Sequence, residues 1–154
     1  MTTYSLIQEF FTLKRFALIG VSRNPKHISQ TLFKEFTSRG YDVVPVNPLM
    51  SSVEDKRCYH GVKEIVPPVT AALITAPVAE TESLVRECAE AGITFVWLYG
   101  VSGKKDVNNA AVQYCTEKGM KVIPGYCPFM FLPSSAFFHR LHGSVWKFLG
   151  KYPK

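Results

Sequence analysis

The stretch FALIGVSRNP at residues 16–25 joins a short apolar run to a glycine and a polar loop. A continuous apolar run that ends at a glycine is typical of a parallel strand that is buried on both faces. The loop leads into a segment whose apolar residues recur at helical spacing until Arg39-Gly40, a pair typical of a helix end. Residues 16–40 therefore predict a strand, a loop and a helix, the beginning of an α/β fold.

The rest of the chain repeats this alternation. Further short apolar runs predict strands at 42–46, 71–74, 95–98 and 121–123. Helices are predicted at 81–91, at 106–118 and before the first strand, where Ser5 and Gln8 have the spacing of a capping box. Residues 50–68 are polar and predict at most a short turn near Gly61. The alternation predicts an α/β fold with a Rossmann-like, doubly wound parallel sheet of five strands flanked by helices.

Length and composition limit the class of protein. The chain has 154 residues, of which 47% are hydrophobic and 19% charged, so it is long and apolar enough for one globular domain. Its apolar runs are shorter than the roughly 18 residues of a membrane span, and its N-terminus lacks the pattern of a secretory signal. The four cysteines form no C-x-x-C pair, which argues against a zinc site and favours a reducing, cytoplasmic compartment.

The formal net charge of +6 is unevenly distributed along the chain. All 12 acidic residues lie before residue 118, where Lys and Arg balance them, and only basic residues follow. We therefore predict a basic tail and no nucleic-acid-binding surface on the domain. An apolar stripe in this tail predicts an amphipathic helix, formed by Phe137, Phe138, Leu141, Val145, Phe148 and Leu149. We expect the helix to pack on its own domain or in a two-fold homodimer, rather than on a membrane surface.

The loop after the first strand is the first place to look for a ligand site, since ligands of such sheets bind at the carboxyl ends of the strands. Gly20, Ser22 and Pro25 occupy the three glycine positions of a dinucleotide-binding fingerprint, so only the first glycine is kept. Asn47 and Pro48 stand where an acid normally holds an adenosine ribose. The usual mode of NAD binding is therefore disfavoured.

The same loop is rich in hydrogen-bond donors. It offers backbone N–H groups at a helix start, the Ser22 hydroxyl, the Asn24 amide, and the Arg23 and Lys26 cations. Such a set suits a phosphate-bearing ligand. An ordinary turn between a strand and a helix, with Asn24-Pro25 at the helix start, explains these residues as well, and the loop alone leaves both interpretations open.

Two motifs resemble a known family. Residues 20–25, GVSRNP, and residues 40–48, GYDVVPVNP, resemble the coenzyme A-binding domain family, stand-alone relatives of the coenzyme A-binding domain of the succinyl-CoA synthetase alpha subunit. The resemblance continues through Ala76-Pro77, Gly100 and Cys127-Pro128. It implies a single Rossmann-like domain with coenzyme A as its cofactor, which we assign to residues 1–128. The tail lies outside the resemblance, and its apolar stripe predicts the helical extension 129–154.

The resemblance also implies a role for each ligand residue. The loop 20–25 would take the diphosphate, Asn47-Pro48 would lie against the adenosine, Ala76-Pro77 would border the pantetheine, and Gly100 would let the chain pass close to the ligand. Cys127 has two interpretations, a thiol that meets the ligand's thiol or a buried core residue, and we expect the second. The implied ligand residues are Gly20, Val21, Ser22, Arg23, Asn24, Pro25, Val46, Asn47, Pro48, Ala76, Pro77, Gly100 and Cys127.

The predicted loops do not assemble into a catalytic triad, a carboxylate pair, a phosphate-binding P-loop or a metal site. We therefore expect a small non-catalytic protein whose partner is a small molecule, coenzyme A or an acyl-CoA. The alternative is an NAD(P)-binding redox-sensing module or a small oxidoreductase. The incomplete glycine pattern and the missing acid count against that alternative.

Overall fold

The computed structural model describes residues 2–132 and contains a five-stranded parallel sheet flanked by helices, which confirms the predicted fold class. The strands in chain order are β1 (Arg15–Ile19), β2 (Asp42–Val46), β3 (Ser52–Val53), β4 (Lys56–Arg57), β5 (Ala71–Ile74), β6 (Phe95–Tyr99) and β7 (Lys121–Tyr126). The α-helices are α1 (Thr3–Thr12), α2 (Ile28–Ser38), α3 (Thr81–Glu90) and α4 (Asn109–Glu117). Strands β3 and β4 form a separate antiparallel hairpin.

The order of strands in the main sheet is β2-β1-β5-β6-β7. Strand β1 lies between β2 and β5, so that Ala17 is opposite Val44 on one side and Ala72 on the other. The chain moves from β1 outward to β2 and then crosses back to β5, from which the sheet grows in the other direction. The strand order therefore reverses between β1 and β5, where a doubly wound sheet leaves a crevice at its carboxyl edge.

Both faces of the sheet are buried, which explains the continuous apolar runs of its strands. Phe16 and Leu18 belong to a core with α1 and α2, whereas Ala17 and Ile19 belong to a second core with α3 and α4. The first core is strongly aromatic. The ring centroid of Phe10 lies 5.1 Å from that of Phe16 and 5.3 Å from that of Trp97, and the second pair meets edge to face, a favourable geometry.

Pro45 lies inside strand β2, where a proline lacks the N–H group that a sheet ladder uses. β2 is an edge strand of the main sheet, and residue 59 covers its outer side through a bridge to Val46. The Pro45 carbonyl accepts a hydrogen bond of 3.0 Å from the Tyr59 N–H, and the Asn47 N–H donates to the Tyr59 carbonyl over 2.9 Å. The proline is tolerated because only its carbonyl is needed on this edge.

Two helix starts differ from the sequence prediction. The cap of α1 is Thr2, whose side-chain oxygen accepts from the Ser5 N–H, so Ser5 is inside the helix. Helix α4 begins at Asn109 instead of residue 106, because Asn108 caps it. The Asn108 side-chain oxygen accepts from the N–H groups of Ala110 and Ala111. The Asp106 carboxylate instead accepts from the N–H groups of the loop after β6. The residue whose side chain caps the helix thus sets the start of both helices.

The structure also differs from the sequence prediction in two places where it has more strand than expected. The hairpin β3–β4 lies within the segment predicted as irregular, and its turn places Glu54 and Asp55 in the left-handed region, with φ of 50° and 67°. Strand β7 continues past Ile123 to Tyr126, which pairs with Tyr99 beyond a bulge. The Trp97 indole N–H donates to the Tyr126 carbonyl over 2.8 Å and holds this extension.

The segment after β7 joins the first core. Residues 129–132 are buried against α1, α2 and the sheet, so the core extends past the predicted domain boundary at residue 128. The predicted tail helix, with its stripe from Phe137 to Leu149, lies outside the described residues. The division into residues 1–128 and 129–154 stays a prediction.

All four cysteines of the described chain are buried free thiols. Burial raises the pKa of Cys88 to about 12, and that of Cys115 to about 11, from an ordinary value of 9.0. A rise of this size for Cys88 lowers its thiolate fraction near neutral pH by about a thousandfold. Since the thiolate is the reactive form, these thiols are protected by both burial and protonation.

We predict that the native protein reacts with a chromogenic disulfide reagent only as fast as it unfolds, whereas the denatured chain exposes all four thiols at once. Rapid labelling of a native thiol at about pH 8 would contradict the burial described here.

The unfolded Cys88 thiol ionises near 9.0 and the folded one near 12, so its contribution to stability is complete below pH 9.0 and is lost as the pH rises towards 12.

Candidate functional site

A cleft of about 640 Å³ opens at the carboxyl edge of the sheet, where the strand order reverses. The loops after β1, β2 and β5 form its floor and rim, and α3 forms one wall. Its volume lies within the range of ordinary small-molecule sites. The predicted ligand residues that line it are Gly20, Val21, Ser22, Val46, Asn47, Pro48, Ala76 and Pro77.

Gly20 allows the loop after β1 to approach the loop after β5. Its φ of +94° lies in the region that favours glycine. A Cβ atom at this position would lie 2.6 Å from the backbone nitrogen of Ala76, a distance at which something must move. The first glycine of the motif is therefore required by the geometry of the protein itself, whatever the ligand.

The Asn47 side chain ties two loops of the cleft together. Its amide nitrogen Nδ2 donates to the Val21 carbonyl over 2.6 Å, and its oxygen Oδ1 accepts from the Leu49 N–H over 2.7 Å. The hydroxyl of Thr75 adds a bond from the loop after β5 to the Ile19 carbonyl. The asparagine that stands in place of an acid thus works as a structural link between the loops after β1 and β2.

The loop after β1 is organised by its own hydrogen bonds. The Ser22 N–H donates to the Ser29 hydroxyl over 2.8 Å, and the Ser22 hydroxyl accepts from the Asn24 N–H over 3.0 Å. The buried Gln30 side chain donates to the Ser22 carbonyl, and the His27 ring caps α2 by accepting from the Ser29 N–H. These bonds hold the loop in one conformation and use several of the donors that the sequence suggested for phosphate.

The charges around the cleft are separated. No Lys or Arg lines it among residues 2–132, whereas Glu80 and Glu87 do, from the α3 side. Arg23 and Lys26 are exposed on the loop after β1, outside the lining, and make no ion pair with any residue that the structure describes. Positive charge is therefore available beside the cleft and not inside it.

Two predicted ligand residues lie away from the cleft. A Cβ atom on Gly100 would lie 2.7 Å from the Gly125 Cα, so the close approach at Gly100 is to the chain itself. Cys127 is 3% exposed in the first core, where burial raises the pKa of its thiol. Arg23, Asn24 and Pro25 lie on the loop beside the lining. The ligand roles of all these residues stay predictions.

Several lining residues were not predicted from the sequence. The segment after the hairpin contributes His60, and α3 contributes Ser83, Leu84 and Glu87. Ser83 and Glu87 are four residues apart and therefore share one face of α3. That polar spacing is the sequence signal that could have placed α3 beside the cleft.

Neither a metal-binding cluster nor a membrane-spanning helix is found in the part of the chain that the structure describes. Residues 2–132 contain no cluster of three or more His, Cys, Asp or Glu side chains that could hold a metal ion. Within the same residues, no helix has the length and apolar character needed to cross a membrane.

We predict that Gly20→Ala destabilises the protein more than Gly92→Ala. Both glycines have positive φ, +94° and +85°, but a Cβ on Gly92 would meet nothing within 4 Å. The control substitution should cost about 1–2 kcal/mol for the backbone conformation alone. Gly20→Ala should cost clearly more, because the loops after β1 and β5 must separate. Equal losses in chemical denaturation would show that these two loops move apart freely.

The chain is similar to proteins of two kinds. It is 29% identical over 130 residues to the alpha subunit of acetate–CoA ligase [ADP-forming] II of Pyrococcus furiosus, covering 79% of this chain but only 28% of that subunit. It is 27% identical over 114 residues to the uncharacterized protein YneT of Bacillus subtilis, covering 74% of this chain and 82% of that protein. The chain thus spans little more than a quarter of the ligase subunit and most of the smaller protein.

A solved structure and a family model extend this comparison. The structure of a hypothetical protein from Pyrococcus horikoshii superposes with a TM-score of 0.74 at 24% identity, covering 83% of this chain and 87% of that one, and shows the same fold. A sequence model of the CoA binding domain matches residues 14–133. Because this match includes the whole five-stranded sheet and every loop of the cleft, the chain belongs to the CoA-binding domain family, as its motifs predicted.

Proposed function

We propose that this chain binds coenzyme A or an acyl-CoA reversibly in the cleft, without catalysing a reaction on it. The observation that carries the proposal is the position of the cleft at the reversal of strand order, in a chain of the CoA-binding domain family. In this proposal the loop 20–25 holds the diphosphate, and the loops after β2 and β5 contact the adenosine and the pantetheine.

The physical character of the cleft supports a nucleoside within it. Pro48, Leu49, Ala76 and Pro77 provide apolar surface on which a base or a pantetheine chain can pack. The Glu80 and Glu87 carboxylates repel phosphate from the interior, whereas Arg23 and Lys26 attract it to the loop after β1. A ligand with an uncharged aromatic base and a separate diphosphate fits this division of charge.

The polar groups of the cleft support ligand binding without catalysis. Asn47 and Ser22 are engaged in holding the loops together, and none of the four cysteines of residues 2–132 lines the cleft. A thiol able to attack a thioester is therefore not among the described lining residues.

We further propose a cytoplasmic protein, in keeping with four free thiols, and a homodimer formed through the tail.

We predict that coenzyme A raises the melting temperature and that NAD does not. A ligand that binds only the folded state stabilises it by RT ln(1 + [L]/Kd), about 2.7 kcal/mol at a hundredfold excess over Kd. Thermal unfolding of the same preparation with each ligand tests this. A clear shift with NAD and none with coenzyme A would instead support an NAD(P)-binding redox sensor or oxidoreductase.

We predict that Arg23→Ala weakens coenzyme A binding by about tenfold or more, since a hydrogen bond between a guanidinium and a phosphate contributes about 1.5–3 kcal/mol. Stability should stay within about 0.5 kcal/mol, because Arg23 is exposed and pairs with no described residue. Lys118→Ala, which removes a cation after α4 at the far edge of the sheet, is the charge-matched control. An unchanged Kd for Arg23→Ala at moderate salt would place the diphosphate elsewhere.

A further inference from the structure

A second, smaller hollow of about 230 Å³ adjoins the cleft. It is formed by the hairpin β3–β4 and the residues that follow it, and His60 lines both cavities. We call it the Arg57 hollow, and its lining consists of Ser51, Arg57, Cys58, Tyr59, His60 and Glu64. The two cavities therefore share one lining residue, and the hollow is a polar recess on the hairpin side of the cleft.

Arg57 provides the positive charge of this recess. It is the one Lys or Arg among the described residues that line either cavity. Its guanidinium carbon lies 4.5 Å from the centre of the Tyr59 ring, and its side chain makes no hydrogen bond or ion pair within residues 2–132. Stacking on a ring leaves the N–H edge of a guanidinium open, the arrangement that suits a bidentate contact with phosphate.

The platform beneath Arg57 is held in place. The Tyr59 hydroxyl donates to the Val66 carbonyl over 3.3 Å, and the Tyr59 backbone bonds to both Pro45 and Asn47. The ring on which the guanidinium rests is thus tied to the edge of β2 and to the asparagine that organises the cleft. Arg57 is therefore presented beside the cleft by a fixed ring instead of by a free side chain in solvent.

We propose that the Arg57 hollow binds the phosphate monoester on the ribose of coenzyme A. The inference rests on the proposed function, and it names the group by which the site distinguishes coenzyme A from dephospho-coenzyme A. The ligand carries two separate anionic groups on its ribose, the diphosphate and this monoester. The cleft has carboxylates but no Lys or Arg in its described lining, and the chain offers unpaired cations at two separate borders of it: Arg23 and Lys26 at one, and Arg57 at the other.

Glu64 is the one acid of the hollow and opposes a phosphate there. Its Oε2 atom accepts from the Gly61 N–H over 3.0 Å, which fixes the carboxylate at the start of a short 3-10 turn. A bound monoester would feel repulsion from Glu64 and attraction to Arg57. Neutralising these two residues must therefore change the affinity for the monoester in opposite directions.

The test is calorimetric titration of the full chain with coenzyme A and with dephospho-coenzyme A. The wild-type protein should prefer coenzyme A by about tenfold or more. Arg57→Ala should reduce the affinity for coenzyme A to that for dephospho-coenzyme A and leave the latter unchanged, which also shows that the cleft is still folded. Glu64→Gln, which keeps an oxygen for the Gly61 N–H, should widen the preference.

Two controls separate this effect from general electrostatics. Lys34→Ala removes a cation that pairs with Glu54 of the hairpin turn and lines neither cavity, so it should leave the preference unchanged. Arg23→Ala should weaken both ligands by a similar factor. Equal wild-type affinities for the two ligands, or a preference that survives Arg57→Ala, would overturn this inference and leave the proposed function intact. Absence of binding by either ligand would overturn both.

Discussion

The close approach of the loops after β1 and β5 is the constraint on which the cleft depends. Gly20 makes it possible, because only a residue without a side chain fits against the backbone of Ala76 with that backbone conformation. The Thr75 hydroxyl and the Thr75 N–H then bond the two loops at the Ile19 carbonyl. The floor of the cleft is therefore closed by contacts of the chain with itself.

Contacts between loops also organise the edge of the sheet at β2. Asn47 links the loop after β2 to the loop after β1 through its side chain and to Tyr59 through its backbone. Tyr59 in turn pairs with the carbonyl of Pro45, so the proline on the edge strand and the asparagine that follows it both hold the hairpin segment. One short motif, residues 45–48, thereby shapes the cleft and also positions Arg57 beside it.

The sheet and the helices were predictable because burial on two faces leaves a strong pattern in sequence. The apolar run at residues 16–19 and the helix ends at Gly40, Gly92 and Gly119 each carry a local signal, and the structure has elements where these predict them. The hairpin β3–β4 was missed because strands of two residues have no periodicity. The start of α4 was misplaced because the choice between Asp106 and Asn108 as its cap depends on a loop that Asp106 binds.

The candidate site was predictable to a smaller extent. The motif predicted which loops border the cleft, but not which of their polar groups the protein uses for itself. Gly100 lies against Gly125, a residue that is distant in sequence, and no local pattern shows such a contact. The same holds for the side chain of Asn47, whose partner is Val21. These roles depend on contacts across the edge of the sheet. The topology of the fold determines such contacts, and the spacing of residues in the sequence does not show them.

If the proposed function holds, ligand affinity and the stability of the fold depend on different residues of this chain. Gly20 and Asn47 maintain the shape of the cleft, so a change at either alters the fold as well as the site. Arg23, Lys26 and Arg57 are exposed cations that pair with no described acid, and removing them costs the folded chain little. Within the described residues, the only Asp, Glu, Lys or Arg side chains that line the cleft are the carboxylates of Glu80 and Glu87. In the proposed function, the binding of a multiply charged ligand therefore depends on a few peripheral side chains, and its strength can change, by substitution or by salt, while the architecture of the cleft is preserved.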